Sequence, residues 1–174
     1  MSELSADLSS ASSDTPHRSL SWLILLALAV GGFGIGTGEF VIMGLMPTMA
    51  ADLGVSEPQV GHVISAYALG VVVGAPILAV LAARLYRRHL LLLLMGFFAL
   101  GNAATALAPG YHSLILARFV TGLPHGAYFG VAALVAASMV PSHKRAAAVS
   151  QVMLGLTIAI LIGNPLATLM GQSI

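Results

Sequence analysis

The 174-residue chain contains no cysteine, and only 7% of its residues are charged. Without cysteine it has neither a disulfide framework nor a thiolate metal site. The scarcity of charge excludes a water-soluble globular domain, in which roughly a quarter of the residues are charged. The net charge of +1 gives no attraction towards a polyanion such as nucleic acid. Hydrophobic residues make up 58% of the chain, so its composition indicates an integral membrane protein.

The motifs of several enzyme classes are also missing. The sequence contains no Gly-x-x-x-x-Gly-Lys-Ser/Thr phosphate loop, no Gly-x-Ser-x-Gly elbow and no His-Glu-x-x-His pair. The six histidines are scattered and lack the spacing of a metal site. Ser65, Ser138 and Ser150 have no suitable base at a matching depth, which leaves an intramembrane hydrolase as a distant alternative. We therefore predict a protein that is not an enzyme and that needs no metal and no cofactor.

Five apolar segments are long enough to cross a membrane. A spanning helix needs about 20 residues, because the hydrocarbon layer is about 30 Å thick and each residue rises about 1.5 Å. The predicted spans are residues 21–46, 61–82, 90–107, 113–140 and 146–170. An open sheet cannot satisfy its backbone in lipid, so the prediction is all-α. Residues 1–20, rich in Ser, Asp and Ala, are predicted to be a disordered cytoplasmic tail, and residues 21–174 a transmembrane bundle.

The basic residues predict how the bundle is oriented. Arg84, Arg87 and Arg88 lie in the second connection and Lys144 and Arg145 in the fourth, whereas the first and third connections have no basic residue. Short basic loops stay in the cytoplasm, so the amino terminus is predicted to be cytoplasmic. Five spans that start inside must end outside, about where the chain stops. This parity leads us to expect a truncated product or a fragment.

Three ionisable residues fall within the predicted spans: Glu39 in the first, and Arg118 and His125 in the fourth. A charge at membrane depth costs a few kcal/mol, which makes such residues functional candidates. Glu39 and Arg118 lie at similar depths, about 12 Å and 10 Å from the outer surface, and could neutralise each other if their helices are neighbours. A purely structural ion pair is the alternative. His125, which follows Pro124, could instead bond a free backbone carbonyl.

Three stretches of the chain carry a family resemblance. They are GTGEFVIMGLMP at 36–47, ARLYRR at 83–88 and RFVTGLPHG at 118–126. In them the chain resembles the amino-terminal half of a major facilitator superfamily transporter. It is most similar to the drug–proton antiporter branch, in the arabinose-efflux and chloramphenicol-resistance-like subgroup. The resemblance implies five helices that form most of the amino-terminal half of a twelve-helix fold.

The resemblance also implies roles for individual residues. Glu39 would be the acidic residue of the cavity wall that couples protons or substrate, and Arg118 the arginine that tunes a nearby carboxylate. His125 belongs to the Pro-His-Gly form of the same motif. Arg84, Arg87 and Arg88 match a loop that latches the inner gate, although Ala83 and Tyr86 replace its usual Asp and Gly. Residues expected to pack helices or to line the cavity are Gly122, Gly126, Gly163, Asn164 and Pro165.

The expected function follows from the resemblance. A complete member has twelve spans in two halves, with the substrate cavity between them. We expect secondary active efflux of a small solute or drug in exchange for protons, in the lipid bilayer of a bacterial inner membrane. The chain alone is not expected to transport. A truncated, non-transporting membrane protein that acts as a scaffold or regulatory fragment is therefore the alternative, and the solute and the oligomeric state stay open.

Overall fold

A computed structural model describes residues 15–81 and 84–173, and in these ranges every long element is a helix. The six α-helices of these ranges are α1 Thr15–Leu53, α2 Glu57–Leu81, α3 Arg87–Ala106, α4 Tyr111–Ser138, α5 Arg145–Ile158 and α6 Asn164–Gln172. A 3₁₀ turn at Ser142–Lys144 precedes α5, and a π-helical segment at Ala159–Gly163 joins α5 to α6. With Ser142–Gln172 counted as one, five helical segments are long and apolar enough to cross a membrane. The all-α membrane fold with five spans is confirmed.

The first helix is longer at both ends than the sequence predicted. It begins at Thr15, so the last six residues of the predicted tail are helical, and residues 1–14 lie outside the described residues. The predicted end of the first helical segment at residue 46 is wrong, since α1 continues through Pro47 to Leu53. Ala50, beyond the proline, is buried against α2 and α4, and this packing offsets the lost backbone bond.

A glycine in the left-handed conformation ends α1. Gly54 has a φ of +63°, which residues with a Cβ rarely adopt. Its N–H donates to the carbonyl of Ala51 at 3.2 Å, and the N–H of Val55 donates to that of Ala50 at 3.0 Å. These two bonds form a Schellman motif, which satisfies carbonyls that the helix end would otherwise leave free. The turn redirects the chain into α2.

Replacing Gly54 by alanine should destabilise the protein by about 1–2 kcal/mol, because the new Cβ is strained in the left-handed region. The matched control is Gly61→Ala in α2, where a Cβ meets no atom within 4 Å and alanine is the better helix former. Equilibrium unfolding in detergent, followed by circular dichroism, measures both variants. We expect opposite signs, and equal destabilisation would contradict the role of the Gly54 turn.

Helices α2 and α4 pack with their backbones in direct contact. A Cβ at Gly70 would meet the carbonyl of Phe119, and one at Gly122 would meet the carbonyl of Tyr67. Nearer the basic end of the bundle, where Arg87 and the turn Ser142–Lys144 lie, Gly126 faces Ala75. Such contacts need small residues, since helices in lipid associate through close packing. The two helices are thereby held in one register.

The fifth span packs against α1 in a similar way. A Cβ at Gly155 would meet the carbonyl of Ala29, and Gly163 is buried against Phe33 and Thr37. The π-helical segment lies just before Pro165, whose ring prevents a regular backbone bond one turn earlier. Helix α1 contacts α5 and α6 as well as α2 and α4, and α3 packs mainly against α4.

Candidate functional site

Four polar side chains from three helices meet inside the bundle, and we call them the polar cluster: Glu39 of α1, Tyr67 of α2, and Arg118 and His125 of α4. Each lies within a helix long enough to span a membrane. Arg118 and His125 share one face of α4, because seven residues make about two turns. The close approach of α2 at Gly122 brings Tyr67 to that same face.

Arg118 is almost completely buried, with 2% of its surface exposed. Its Nη1 donates a hydrogen bond to the carbonyl oxygen of Gly38 at 3.0 Å. The guanidinium carbon lies 4.4 Å from the centre of the Tyr67 ring, which is the geometry of a cation–π contact. The Nε atom is buried without a hydrogen-bond partner. Arg118 therefore links α1, α2 and α4 through a backbone carbonyl and an aromatic face.

The first and fourth spans come together at Arg118 and the residue before Glu39, but the two charges do not form a direct pair. Within the described part of the chain, the Glu39 carboxylate makes its ion-pair contact with His125, and its oxygens lie more than 4.0 Å from the guanidinium of Arg118. Opposite charges that are this close in a low-dielectric interior still attract each other without direct contact. The acceptor that Arg118 does reach is the carbonyl of Gly38, the residue before Glu39.

His125 lies between two oxygen atoms. Its Nδ1 is 2.9 Å from the hydroxyl of Tyr67 and 3.8 Å from Oε2 of Glu39. The ring of Phe129 lies 5.2 Å from the imidazole, centre to centre. The side chains of His125 and Glu39 are 13% and 26% exposed. The alternative in which His125 bonds a backbone carbonyl is not the arrangement found, since its described polar contacts are to side chains.

The sequence alone did not lead us to Tyr67, although this residue contacts both His125 and Arg118. It is 1% exposed and contacts His125 through its hydroxyl and Arg118 through its ring. A signal was available in the sequence. Tyr67 is the single tyrosine in the predicted span 61–82, and a hydroxyl group in hydrocarbon needs a hydrogen-bond partner.

The basic loop residues lie far from the polar cluster, at the basic end of the bundle. Arg87 starts α3, and its Nη1 donates to Oγ of Ser138 at the end of α4, over 3.4 Å. Arg84 and Arg88 are exposed, and Ala83 lies outside the described residues. Arg87 also lines an apolar groove of about 420 Å³ beside Gly126. This long hydrogen bond from Arg87 to Ser138 links the start of α3 to the end of α4.

The residues singled out in the fifth span do not join the polar cluster. Gly163 packs against α1, and Oδ1 of Asn164 accepts a hydrogen bond from Oγ1 of Thr168 at 3.4 Å. Pro165 is exposed. In the part of the chain that the structure describes, no group of three His, Asp or Glu side chains is arranged to hold a metal ion.

A multi-pass α-helical membrane protein with a buried cluster of ionisable groups is the class that these observations define. Residues 28–174 match the Major Facilitator Superfamily, and the chain belongs to that family. The resemblance drawn from the three sequence stretches is thereby confirmed. Because the match begins at residue 28, it takes in all five spans, the first of them in part.

Individual relatives are similar to the chain over most of its length. The chain is 52% identical over 150 residues to the inner membrane transport protein YdhP of Escherichia coli K12, which covers 86% of this chain and 39% of that protein. It is 46% identical over 149 residues to the putative transporter AraJ of the same strain, covering 86% and 38%. It is 38% identical over 149 residues to a chloramphenicol resistance protein of Streptomyces lividans, again covering 86% and 38%. The chain therefore spans about two fifths of the length of these relatives.

Proposed function

We propose that this chain forms one wall of a secondary active exporter that exchanges a small solute for protons across a bacterial inner membrane. The observation that carries the proposal is the contact of two proton-binding side chains, Glu39 and His125, in a cluster that also holds a buried permanent cation, Arg118. Ionisable groups inside a membrane protein are typical of ion and substrate pathways. The two E. coli relatives are named as transporters, which supports transport over the scaffold alternative.

The cluster can convert a proton into a difference between conformations. With Glu39 ionised, its negative charge and the positive charge of Arg118 attract α1 and α4 to each other. Protonation of Glu39 removes that attraction, so it changes the relative stability of any two states that differ in the spacing of these helices. Glu39 is the most exposed member of its pair with His125, so it is the group that a proton from the cavity reaches first.

The orientation that fits this proposal has the amino terminus in the cytoplasm, because the basic connections would then lie inside. Arg84, Arg87 and Arg88 would form part of an inner gate, in which Arg87 ties α3 to the end of α4. Gly122 and Gly126 would keep α2 and α4 packed as one body during the movement, and Gly163, Asn164 and Pro165 would serve the same purpose beside α1.

A chimera tests the proposal. This chain replaces the matching 149 residues of the chloramphenicol resistance protein, and inverted vesicles carrying the chimera are given a proton gradient. Chloramphenicol is the probe because that relative is named for it. We expect gradient-driven uptake by the chimera, and we expect Glu39→Gln to reduce it at least tenfold, since glutamine cannot release a proton.

Glu57→Gln is the matched control, because Glu57 is an exposed carboxylate at the start of α2, outside the cluster. It should leave the uptake unchanged. Undiminished proton-driven uptake by the Glu39→Gln chimera would exclude Glu39 from the coupling. Uptake that does not depend on the proton gradient in the unmodified chimera would refute the exchange of solute for protons.

A further inference from the structure

The atom that both neighbours of His125 approach is the same one, Nδ1. The Tyr67 hydroxyl lies 2.9 Å from it and Oε2 of Glu39 lies 3.8 Å from it. An imidazole nitrogen has either one lone pair or one N–H, so it makes one well-aligned hydrogen bond at a time. The bond to Tyr67 is formed in this structure, whereas the Glu39 oxygen lies beyond hydrogen-bond distance. Tyr67 and Glu39 are thus alternative partners of one atom.

We propose that Tyr67 is a positioning residue, which donates its hydroxyl hydrogen to Nδ1 of neutral His125 and gives up that nitrogen to Glu39 when the imidazole is protonated. This inference deepens the proposed exchange of solute for protons and rests on it. The proton arrives from the cavity water by way of Glu39 and passes to Nδ1, which leaves the carboxylate ionised, and the Tyr67 hydroxyl keeps its own hydrogen. The new N–H then faces the carboxylate, and a charge-assisted bond to a carboxylate is stronger than one to a hydroxyl.

The second contact of Tyr67 passes this change to Arg118. The ring of Tyr67 lies under the guanidinium, whose Nη1 holds the carbonyl of Gly38, the residue before Glu39. The contacts therefore form a ring. They run from Glu39 to His125, then to Tyr67 and to Arg118, which bonds the backbone of Gly38 next to Glu39. When the Tyr67 hydroxyl loses its acceptor, the hydrogen bond that fixes the ring on the His125 side is gone, so the position of the aromatic face against Arg118 is less constrained. Protonation of His125 would thereby affect the hydrogen bond from Arg118 of α4 to the Gly38 carbonyl of α1.

The groups that bear on His125 come from each helix packed around it. Glu39 faces it from α1 and Tyr67 from α2, and Arg118 acts through these two from its own helix. Tyr128 is close in sequence, but its hydroxyl donates to the carbonyl of Leu28 at 2.8 Å. Tyr128 is therefore a matched control: it is a second buried tyrosine in the same hydrophobic core, with a hydroxyl that does not bond His125.

The test is nitrogen NMR of isotope-labelled histidine in this chain, held in lipid nanodiscs, with His125→Gln to assign the His125 signals among the six histidines. In alkaline buffer we expect Nδ1 of His125 to be unprotonated, with the hydrogen on Nε2. Tyr67→Phe keeps the ring under Arg118 and removes the donor. The ratio of the two tautomers should then change about fivefold, which is the effect of one ordinary hydrogen bond. Tyr128→Phe should leave the ratio unchanged.

A second measurement follows the change of partner. On acidification, the carbon NMR signal of Tyr67 Cζ should move together with the His125 nitrogen signals, because the hydroxyl loses its acceptor. In Glu39→Gln the new N–H has no carboxylate to bond and stays with the Tyr67 oxygen, so the Tyr67 signal should move less than in wild type.

Three outcomes would overturn the inference: a hydrogen on Nδ1 in the neutral wild-type protein, the same tautomer ratio in Tyr67→Phe as in wild type, or equal changes in Tyr67→Phe and Tyr128→Phe. Circular dichroism of each variant shows that its helices are intact. These spectra need no transport, so a failure here is distinct from a failure of the chimera to export chloramphenicol.

Discussion

Replacing Arg118 by methionine is expected to lower the free energy of unfolding by about 3 kcal/mol, because removal of one charged partner from a buried set leaves the others unpaired. Methionine fills a similar volume, so the loss comes from the charge and not from a cavity. The carbonyl of Gly38 loses its donor, the Tyr67 ring loses its cation, and Glu39 loses the positive charge that balances it. Thermal unfolding in nanodiscs measures the change.

A double variant separates the charge effect from general damage. In Glu39→Gln with Arg118→Met, no carboxylate is left without a counter-charge, so the double variant should be at least about 1 kcal/mol more stable than Arg118→Met alone. Arg118→Lys should fall between wild type and Arg118→Met, because lysine keeps the charge but lacks the planar group that spans Gly38 and Tyr67. Strict additivity of the two single changes would show that Glu39 and Arg118 do not interact.

Gly74→Leu should be as damaging, for a steric reason. A Cβ at Gly74 would meet the backbone of Leu123 in α4, and a backbone cannot move aside as a flexible side chain can. We expect a loss of about 3 kcal/mol or more, together with displacement of Tyr67 from His125, since the same interface sets the distance between α2 and α4. Unfolding in detergent measures the first effect, and the tautomer ratio of His125 measures the second.

The control for that substitution is Gly96→Leu. Gly96 lies in α3, where an added Cβ would meet no atom within 4 Å, so leucine there adds helix propensity and no clash. It should be neutral or slightly stabilising. If Gly96→Leu were as destabilising as Gly74→Leu, the cost would lie in the added bulk itself and not in the contact of the two backbones.

The polar cluster could be predicted in part, and the reason differs from residue to residue. Glu39, Arg118 and His125 were found because a charge in hydrocarbon is costly, so each stands out from its apolar surroundings in the sequence alone. Tyr67 has no charge and gave a weaker signal. The bond from Arg118 to the carbonyl of Gly38 gave none, because every residue carries a carbonyl group and only the packed structure shows which one lies within reach.

The sequence by itself determined the class of protein, the number of spans and their approximate limits. It could do so because the thickness of the hydrocarbon layer and the need to satisfy every backbone group leave one solution for such long apolar runs. Only the tertiary structure decided which side chains meet. The carboxylate of Glu39 contacts His125 and not Arg118, and the glycine-lined approach of α2 to α4 brings Tyr67 into contact with both Arg118 and His125. Differences of about an ångström in helix spacing choose between such partners, and no pattern of residue types records them.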